Sequence, residues 1–361
     1  MNYNLNKQKE HDVSYSESAI FYSHKPQTAG KKTRQLLSVI VPVYNEEDVL
    51  EQCQQRLNAV ADKLAINTEI IYINDGSSDN TLALLNEMQK NNSRIAVIDL
   101  SRNFGKEIAM TAGLDYAQGD AVIIIDADLQ DPPELIPEML AQWQQGYDIV
   151  YMKRASRDGE SWFKKISATA FYRVINRISH IEIPEGVGDF RLLNRRAVDS
   201  LCQLRESNRF MKGMFCWLGF KQKELVYNRE ERASGTSKWN YLALWDLAVD
   251  GITAFSTTPL KLAGYAGGIC VTLSIFASVW LGAQFLIFDA GVSSHILLML
   301  GLLFFAGIQM LALGVLGEYL GRMYIETKHR PLYLVNDWAP CTDSDDISIA
   351  TQVHDCEKHL S

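Results

Sequence analysis

Two aspartates separated by one residue, Asp126 and Asp128, carry the clearest chemical signal in the sequence. They follow an unbroken apolar run, residues 121–125, which reads as a strand buried on both faces, as inside a parallel sheet. Pro132 and Pro133 then keep a helix from starting earlier. Open α/β sheets bind ligands in the crevice beyond the carboxyl ends of their strands, so the two acids stand where a site belongs. Carboxylates this close repel one another unless something positive lies between them, and hard oxygen ligands suit Mg²⁺ or Mn²⁺. An isolated D-x-D is more often a polar turn, so the neighbouring segments decide its meaning.

Those neighbours repeat the pattern. Strands are expected over 36–43, 69–74 and 95–100, each followed by polar residues and then a helical period, ending near 64, 89 and 117. After the first strand comes Tyr44-Asn45-Glu46-Glu47, after the second Asp75-Gly76-Ser77-Ser78, and after the third Arg102-Asn103-Phe104-Gly105. Gly76 allows a tight turn, and Ser78 or Asp79 can cap the helix that follows. Strand and helix alternating in this way give a parallel sheet with right-handed crossovers. Acids, amides and small polar residues at every strand end suit a nucleotide along one sheet edge, with Asp75 accepting from a base or ribose.

Further on, a strand over 149–152 leads to Lys153-Arg154, and a helix is expected over 161–178. Residues 186–193 place Asp189 and Arg191 beside glycines and read as a loop with an ion pair. A strand over 223–231 leads to a small-residue run bracketed by Arg232 and Lys238, which suits a flexible phosphate clamp and equally a solvated loop.

The glycine signatures of other nucleotide sites are missing. No G-x-G-x-x-G follows the first strand, which disfavours a dinucleotide-binding dehydrogenase, and no G-x-x-x-x-G-K-[ST] supports a P-loop. A diphosphate here would need a metal and basic side chains instead. The net charge of -8 argues against a nucleic-acid partner. Six scattered cysteines without a C-x-x-C pair argue against a zinc site and a disulfide framework, and fit a reducing compartment.

The 361 residues leave room for about two domains, and the long apolar sequence lies almost wholly after Pro259. Residues 1–35 are polar, lack a signal-peptide core and read as a mobile tail ending in a basic cluster. Residues 36–238 form the α/β domain. Residues 239–258 place tryptophans at helical spacing and suit an amphipathic helix lying at a membrane interface. Two uncharged stretches within 259–326, about 262–288 and 296–318, are long enough to cross the hydrocarbon core of a bilayer. Lysines and arginines flank this hairpin while its short linker has none, which places the domain and both termini in the cytoplasm. Gly264 and Gly268, and Gly317 and Gly321, would let helices approach closely, so self-association is compatible with the spans. Residues 327–361 form a C-terminal tail, polar and acidic after Asp337 and expected to be disordered.

Taken together, PVYNEE (42–47), INDGSSDNT (73–81), RNFGKE (102–107), DADLQDP (126–132), VGDFRLLNR (187–195) and GVLGEYLGRMYIETKHRP (314–331) resemble family 2 glycosyltransferases with a GT-A fold. Within that family they resemble the bactoprenol (undecaprenyl-phosphate) glucosyltransferases, relatives of the dolichyl-phosphate mannose synthases. The likeness runs from about residue 36 to 334. It implies a GT-A nucleotide-sugar-binding domain, mostly parallel in its sheet, with a C-terminal two-helix transmembrane hairpin. Pro42, Tyr44, Glu46 and Asp75, with Arg102 and Asn103, would hold the nucleoside end of a UDP-sugar. Asp126, Asp128 and Gln130 would bind Mg²⁺ or Mn²⁺. Arg154, Arg191, Arg232 and Lys238 would hold donor or acceptor phosphates, and Asp189 occupies the place often proposed for a catalytic base. Asn74-Asp75 departs from a common pair of aspartates, and Asn194 replaces a common acid.

The implied reaction is an inverting transfer of a sugar, glucose by nearest resemblance, from UDP onto a polyprenyl phosphate at the cytoplasmic membrane face. GlcNAc, galactose or mannose would differ by a few contacts. A phosphate acceptor is already largely ionised near neutral pH, its second pKa being about 6, so it hardly needs a general base. Asp189 is therefore expected to position Arg191 as much as to take a proton. A processive polysaccharide synthase would show Q-x-x-R-W and more spans, and neither is found. A non-catalytic membrane scaffold would not need acids at every strand end.

Overall fold

The computed structural model describes residues 35–155, 184, 186–228 and 294–341, with separate residues between 260 and 280. The expected N-terminal tail, the helix over 161–178, the clamp with Arg232 and Lys238, the interfacial helix and the last residues of the chain lie outside these.

Among the described residues one eight-stranded sheet runs in the order β7-β5-β6-β4-β1-β2-β3-β8. Its strands are β1 Leu36–Val43, β2 Asn67–Asn74, β3 Ile95–Leu100, β4 Ala121–Ile124, β5 Ile149–Arg154, β6 Val187–Asn194, β7 Gln222–Tyr227 and β8 Val335–Ala339. β1 pairs in parallel with β2 and β4, β2 with β3, and β5 with β7. Only β6 and β8 run against the others. The helices are α1 Leu50–Ala61, α2 Thr81–Asn91, α3 Lys106–Tyr116, α4 Ile136–Gln144, α5 Arg195–Cys202, α6 Met211–Trp217 and α7 Ser294–Thr327.

The central strands β1, β3 and β4 are almost wholly apolar because both faces are covered. Val39 and Val41 point to a layer holding Leu50, Leu57 and Val60 of α1, Leu85 of α2 and Met139 of α4. Ile40 points the other way, to Ala109 and Met110 of α3, Val198 of α5 and Met214 of α6. Burying each such side chain contributes about 1.5–3 kcal/mol, which fixes the register because a one-residue slip would exchange the two faces.

Two expectations fail here. Residues 187–194 form not a loop but the strand β6, inserted between β4 and β5. Its glycines and charges hid an alternation in which Phe190 and Leu192 face one core layer and Leu193 the other. Nor is the tail after Asp337 irregular from its start: Asp337, Trp338 and Ala339 belong to β8, which closes the free edge of β3.

One helix among the described residues is long and apolar enough to cross a membrane, with its candidate span over Phe304–Thr327. It lies in α7 and ends further along the chain than the sequence suggested. Leu298, Met299, Met310 and Leu311 of α7 are all more than 60% exposed, as a lipid-facing helix would be. The described residues between Leu260 and Trp280 are helical, but the earlier span lies largely outside the description and a hairpin is not shown.

Candidate active site

The parallel strands β1, β2, β3 and β4 all end at one sheet edge, which brings together Tyr44, Asp75, Arg102 and Asp126. β6 runs the other way, so its beginning reaches the same edge. Ile124 of β4 is paired with Arg191 of β6. Carried two residues further, that antiparallel register sets Asp126 opposite Asp189. Arg154 at the end of β5 completes the row, since β5 pairs with β6 as far as Lys153 and Val187.

The cation that two facing acids require is supplied by the chain itself. Lys106 Nζ lies 2.6 Å from Asp126 and 2.6 Å from Asp189. Burial works against ionisation of Asp189, but the Lys106 ammonium, together with the charges of Lys212 and Arg191, outweighs it and holds this carboxyl well below the usual range. Burial likewise opposes the charge on Lys106, and the two acids overcome it and raise its pKa. The neighbouring Glu107 is compensated less completely, by the charges of Lys212 and Lys106. Burial, together with the charge of Asp189, pushes its pKa up to about 7, although its Oε2 accepts the Met211 N–H at 3.1 Å.

Sequence reasoning assigned no role to Lys106. One signal was available: a lysine in the first turn of a helix faces the positive end of the helix dipole, an unfavourable place for a cation unless acids hold it there.

The loop carrying Lys106 is set by Asp75. Its two carboxylate oxygens accept the backbone N–H groups of Phe104 at 2.7 Å and Gly105 at 2.9 Å. Asp75 is buried, so what the structure shows it holding is this loop, whereas the sequence had placed it against a nucleoside. Gly76 comes next, with φ +65°, and a Cβ there would lie 2.5 Å from the backbone of Arg102 and Asn103. A glycine is therefore required for the two loops to touch. Arg102 and Asn103 are exposed, and the Arg102 guanidinium lies 4.2 Å from the Phe104 ring centre.

The loops after β1 and β2 are also knitted together. Asn45, at φ 53°, donates its N–H to Ser77 Oγ at 3.0 Å and accepts the Ser78 N–H on Oδ1 at 2.8 Å. Glu46 N–H donates to Thr81 Oγ1 at 3.0 Å. Tyr44 and the edge of Pro42 remain accessible beside them.

Asp128 Oδ1 accepts the Gln130 N–H at 3.2 Å, and Leu129 between them adopts φ 60°, left-handed for a buried leucine. Such strain is concentrated at functional sites. Among the described residues, Asp189 Oδ1 is buried and accepts no hydrogen bond, and Asp126 Oδ1 has the Lys106 ammonium at 2.6 Å. Among the described residues no three His, Cys, Asp or Glu side chains gather around one point. The protein thus offers Asp126 and Asp128, a hard oxygen set. That fits Mg²⁺ or Mn²⁺, which are held by one or two carboxylates together with substrate phosphates.

Arg191 is 3% exposed, donates from Nη2 to the Gly188 carbonyl at 2.7 Å and lies 3.6 Å from the Phe215 ring centre. Burial pushes its pKa down to about 10, so it stays charged. Its Nε and that of Arg154 are buried and meet no acceptor among the described residues. Asp131, which sequence reasoning left unassigned, is buried and accepts the Tyr227 hydroxyl, joining the D-x-D segment to β7.

The family description "Glycosyl transferase family 2" matches residues 38–202, which span all of these groups from Pro42 to Arg191. An uncharacterized glycosyltransferase of Synechocystis is 51% identical over 301 residues, covering 83% of this chain and 95% of that one. The uncharacterized glycosyltransferase YkcC of Bacillus subtilis is 46% identical, covering 82% and 92%. A bactoprenol glucosyl transferase of Shigella phage SfV is 42% identical, covering 83% and 98%.

Proposed function

The chain belongs to glycosyltransferase family 2, and from that membership we propose that it moves glucose from UDP-glucose to a polyprenyl (undecaprenyl) phosphate at the cytoplasmic face of a membrane. Its domain has the GT-A-like α/β fold with a mostly parallel sheet. The observation that carries the proposal is the Asp126–Lys106–Asp189 cluster at the edge of a sheet whose last strand returns directly from an apolar helix. The relative in phage SfV, named for bactoprenol and a glucosyl group, supports the choice of acceptor and sugar.

In this reading the nucleoside lies against Pro42, Tyr44 and Glu46, with Asp75 acting through the loop that presents Arg102 and Asn103. Asp126, Asp128 and Gln130 would hold Mg²⁺ or Mn²⁺, whose chemistry when bound is to offset charge on the departing diphosphate. A lipid phosphate oxygen forms the bond to the anomeric carbon from the face opposite the diphosphate. The bond from that carbon to the β-phosphate oxygen breaks, and UDP leaves with the electron pair. The acceptor phosphate is ionised near neutral pH, so no proton has to be removed. Asp189, kept ionised by Lys106, orients the acceptor side of the site, while Arg191 supplies a fixed positive charge beneath it. Arg154 is placed for a phosphate, as Arg232 and Lys238 would be beyond the described residues.

The test uses the full-length protein in detergent with undecaprenyl phosphate and a panel of radiolabelled nucleotide sugars, with and without EDTA. Label should enter the lipid from UDP-glucose, stop with EDTA and return with Mn²⁺. Failure of every donor to label the lipid contradicts the proposal. Asp189→Asn should lose less activity than Asp128→Asn, and equal, complete losses would count against an orienting role for Asp189.

A further inference from the structure

We propose that β8, the strand that follows the apolar helix, is part of the donor site: Asn336 positions the loop over residues 76–81 through a relay of hydrogen bonds centred on the buried Asp99. The inference rests on the reading above that Pro42, Tyr44 and Glu46 hold the nucleoside, because the loop over 76–81 braces their backbone through Asn45 and Glu46.

The relay starts from a buried charge. Asp99 in β3 is 6% exposed, and a carboxylate so placed is costly unless donors meet both oxygens. Asn336 Nδ2 donates to Oδ2 at 2.8 Å and Asn74 Nδ2 to Oδ1 at 2.7 Å. With its amide nitrogen so engaged, Asn74 must turn its Oδ1 toward the loop, where it accepts the Ser77 N–H at 3.2 Å. Ser77 Oγ in turn accepts from the Asn45 N–H at 3.0 Å, and Asn45 Oδ1 accepts the Ser78 N–H at 2.8 Å. The amide orientation of Asn74 is thus decided by Asp99, and half of the satisfaction of Asp99 comes from Asn336.

The backbone aims Asn336 at this task. β8 pairs Asp337 with Asp99 and Val335 with Leu100, so the register passes over Asn336. A bulge of this kind re-aims one side chain and recurs beside functional sites. Nearby contacts hold the strand in place. Ser101 N–H donates to the Leu334 carbonyl at 2.9 Å, Tyr333 hydroxyl to Asp115 at 2.8 Å, and the Trp338 ring lies 4.8 Å from that of Tyr116. Glu326, at the end of α7, accepts the Ser207 N–H at 2.7 Å. The donor loop is therefore complete only once the chain has come back from the helix.

The experiment measures UDP affinity by titration calorimetry, and KM and kcat for the donor, on full-length protein with a thermal melt as control. Asn336→Ala should raise Kd and KM about ten-fold, with kcat falling less than KM rises. Asn74→Asp alone faces two carboxylates across the relay and should bind UDP worse still. Combining Asn74→Asp with Asp99→Asn should restore affinity to within about three-fold of the parent. In that pair the new carboxylate at 74 accepts from Ser77 and from the new amide at 99, which accepts from Asn336. A parent protein that does not bind UDP would sink the functional reading itself. Binding by the parent that is unchanged in Asn336→Ala would overturn the positioning role. If Asn336→Ala fails to fold, Asn336→Asp is read instead: it sets a carboxylate against Asp99 and should weaken UDP binding, adding Asp99→Asn should restore it, and no recovery would overturn the role.

Discussion

A lysine between two acids is the feature on which this site turns. Lys106 Nζ touches Asp126 and Asp189, residues 20 and 83 positions away in the chain. It sets a positive charge between two carboxylates that would otherwise repel one another in one cleft. Replacing it by methionine (Lys106→Met) should lower kcat by about 100-fold, with Lys106→Arg retaining part of the activity because the charge survives; steady-state turnover checks this. Glu107 gives a second prediction. Its pKa rises from 4.5 to about 7 on folding, so the folded protein holds that proton more tightly than the unfolded chain. The stability this provides is complete below pH 4.5 and is lost as pH rises toward 7. Glu107→Gln should therefore flatten the fall in melting temperature over that interval, and a thermal-melt series in matched buffers reads it out. The acids at 126, 128 and 189 were legible in the sequence because short motifs mark them. Lys106 was not, because its meaning arises when β4, β6 and α3 converge.

At the scale of elements, the end of β2 organises two loops at once: Asn74 holds the loop after β2 and Asp75 the loop before α3. Gly76 is the point where these loops meet. Gly76→Ala would force a Cβ onto the backbone of Arg102 and Asn103, and the left-handed φ would add strain. It should lower stability by about 2 kcal/mol or more and weaken UDP binding, measured by denaturant melts and calorimetry. The strands β1 to β5 were readable from their apolar runs, since a strand covered on both faces is hydrophobic there, and the edge strand β7 from a shorter pattern. β6 escaped because it lies where the site is. Gly188, Asp189 and Arg191 serve the cleft and break the apolar run that would have announced a strand. β8 escaped because five residues, including Asn336 and Asp337, carry no strand signal away from the open edge of β3.

The whole molecule joins an α/β domain to an apolar helix, and the join is what a transfer between a water-soluble donor and a lipid acceptor needs. The helix was legible from hydropathy alone, because a long apolar run is recognised without any partner elsewhere in the chain. Its return to the sheet was not, since Ser207 with Glu326, and Tyr333 with Asp115, are contacts between distant segments. The central claim is that this combined architecture attaches glucose to a polyprenyl phosphate, and one measurement tests it most directly. Purified full-length protein is given UDP-glucose labelled in the sugar and undecaprenyl phosphate, and the organic-phase label is counted against the UDP released. The account predicts one labelled sugar on the lipid for each UDP released, lost in Asp126→Ala. Release of UDP with no label in the lipid, or lipid labelling that survives Asp126→Ala, would contradict it.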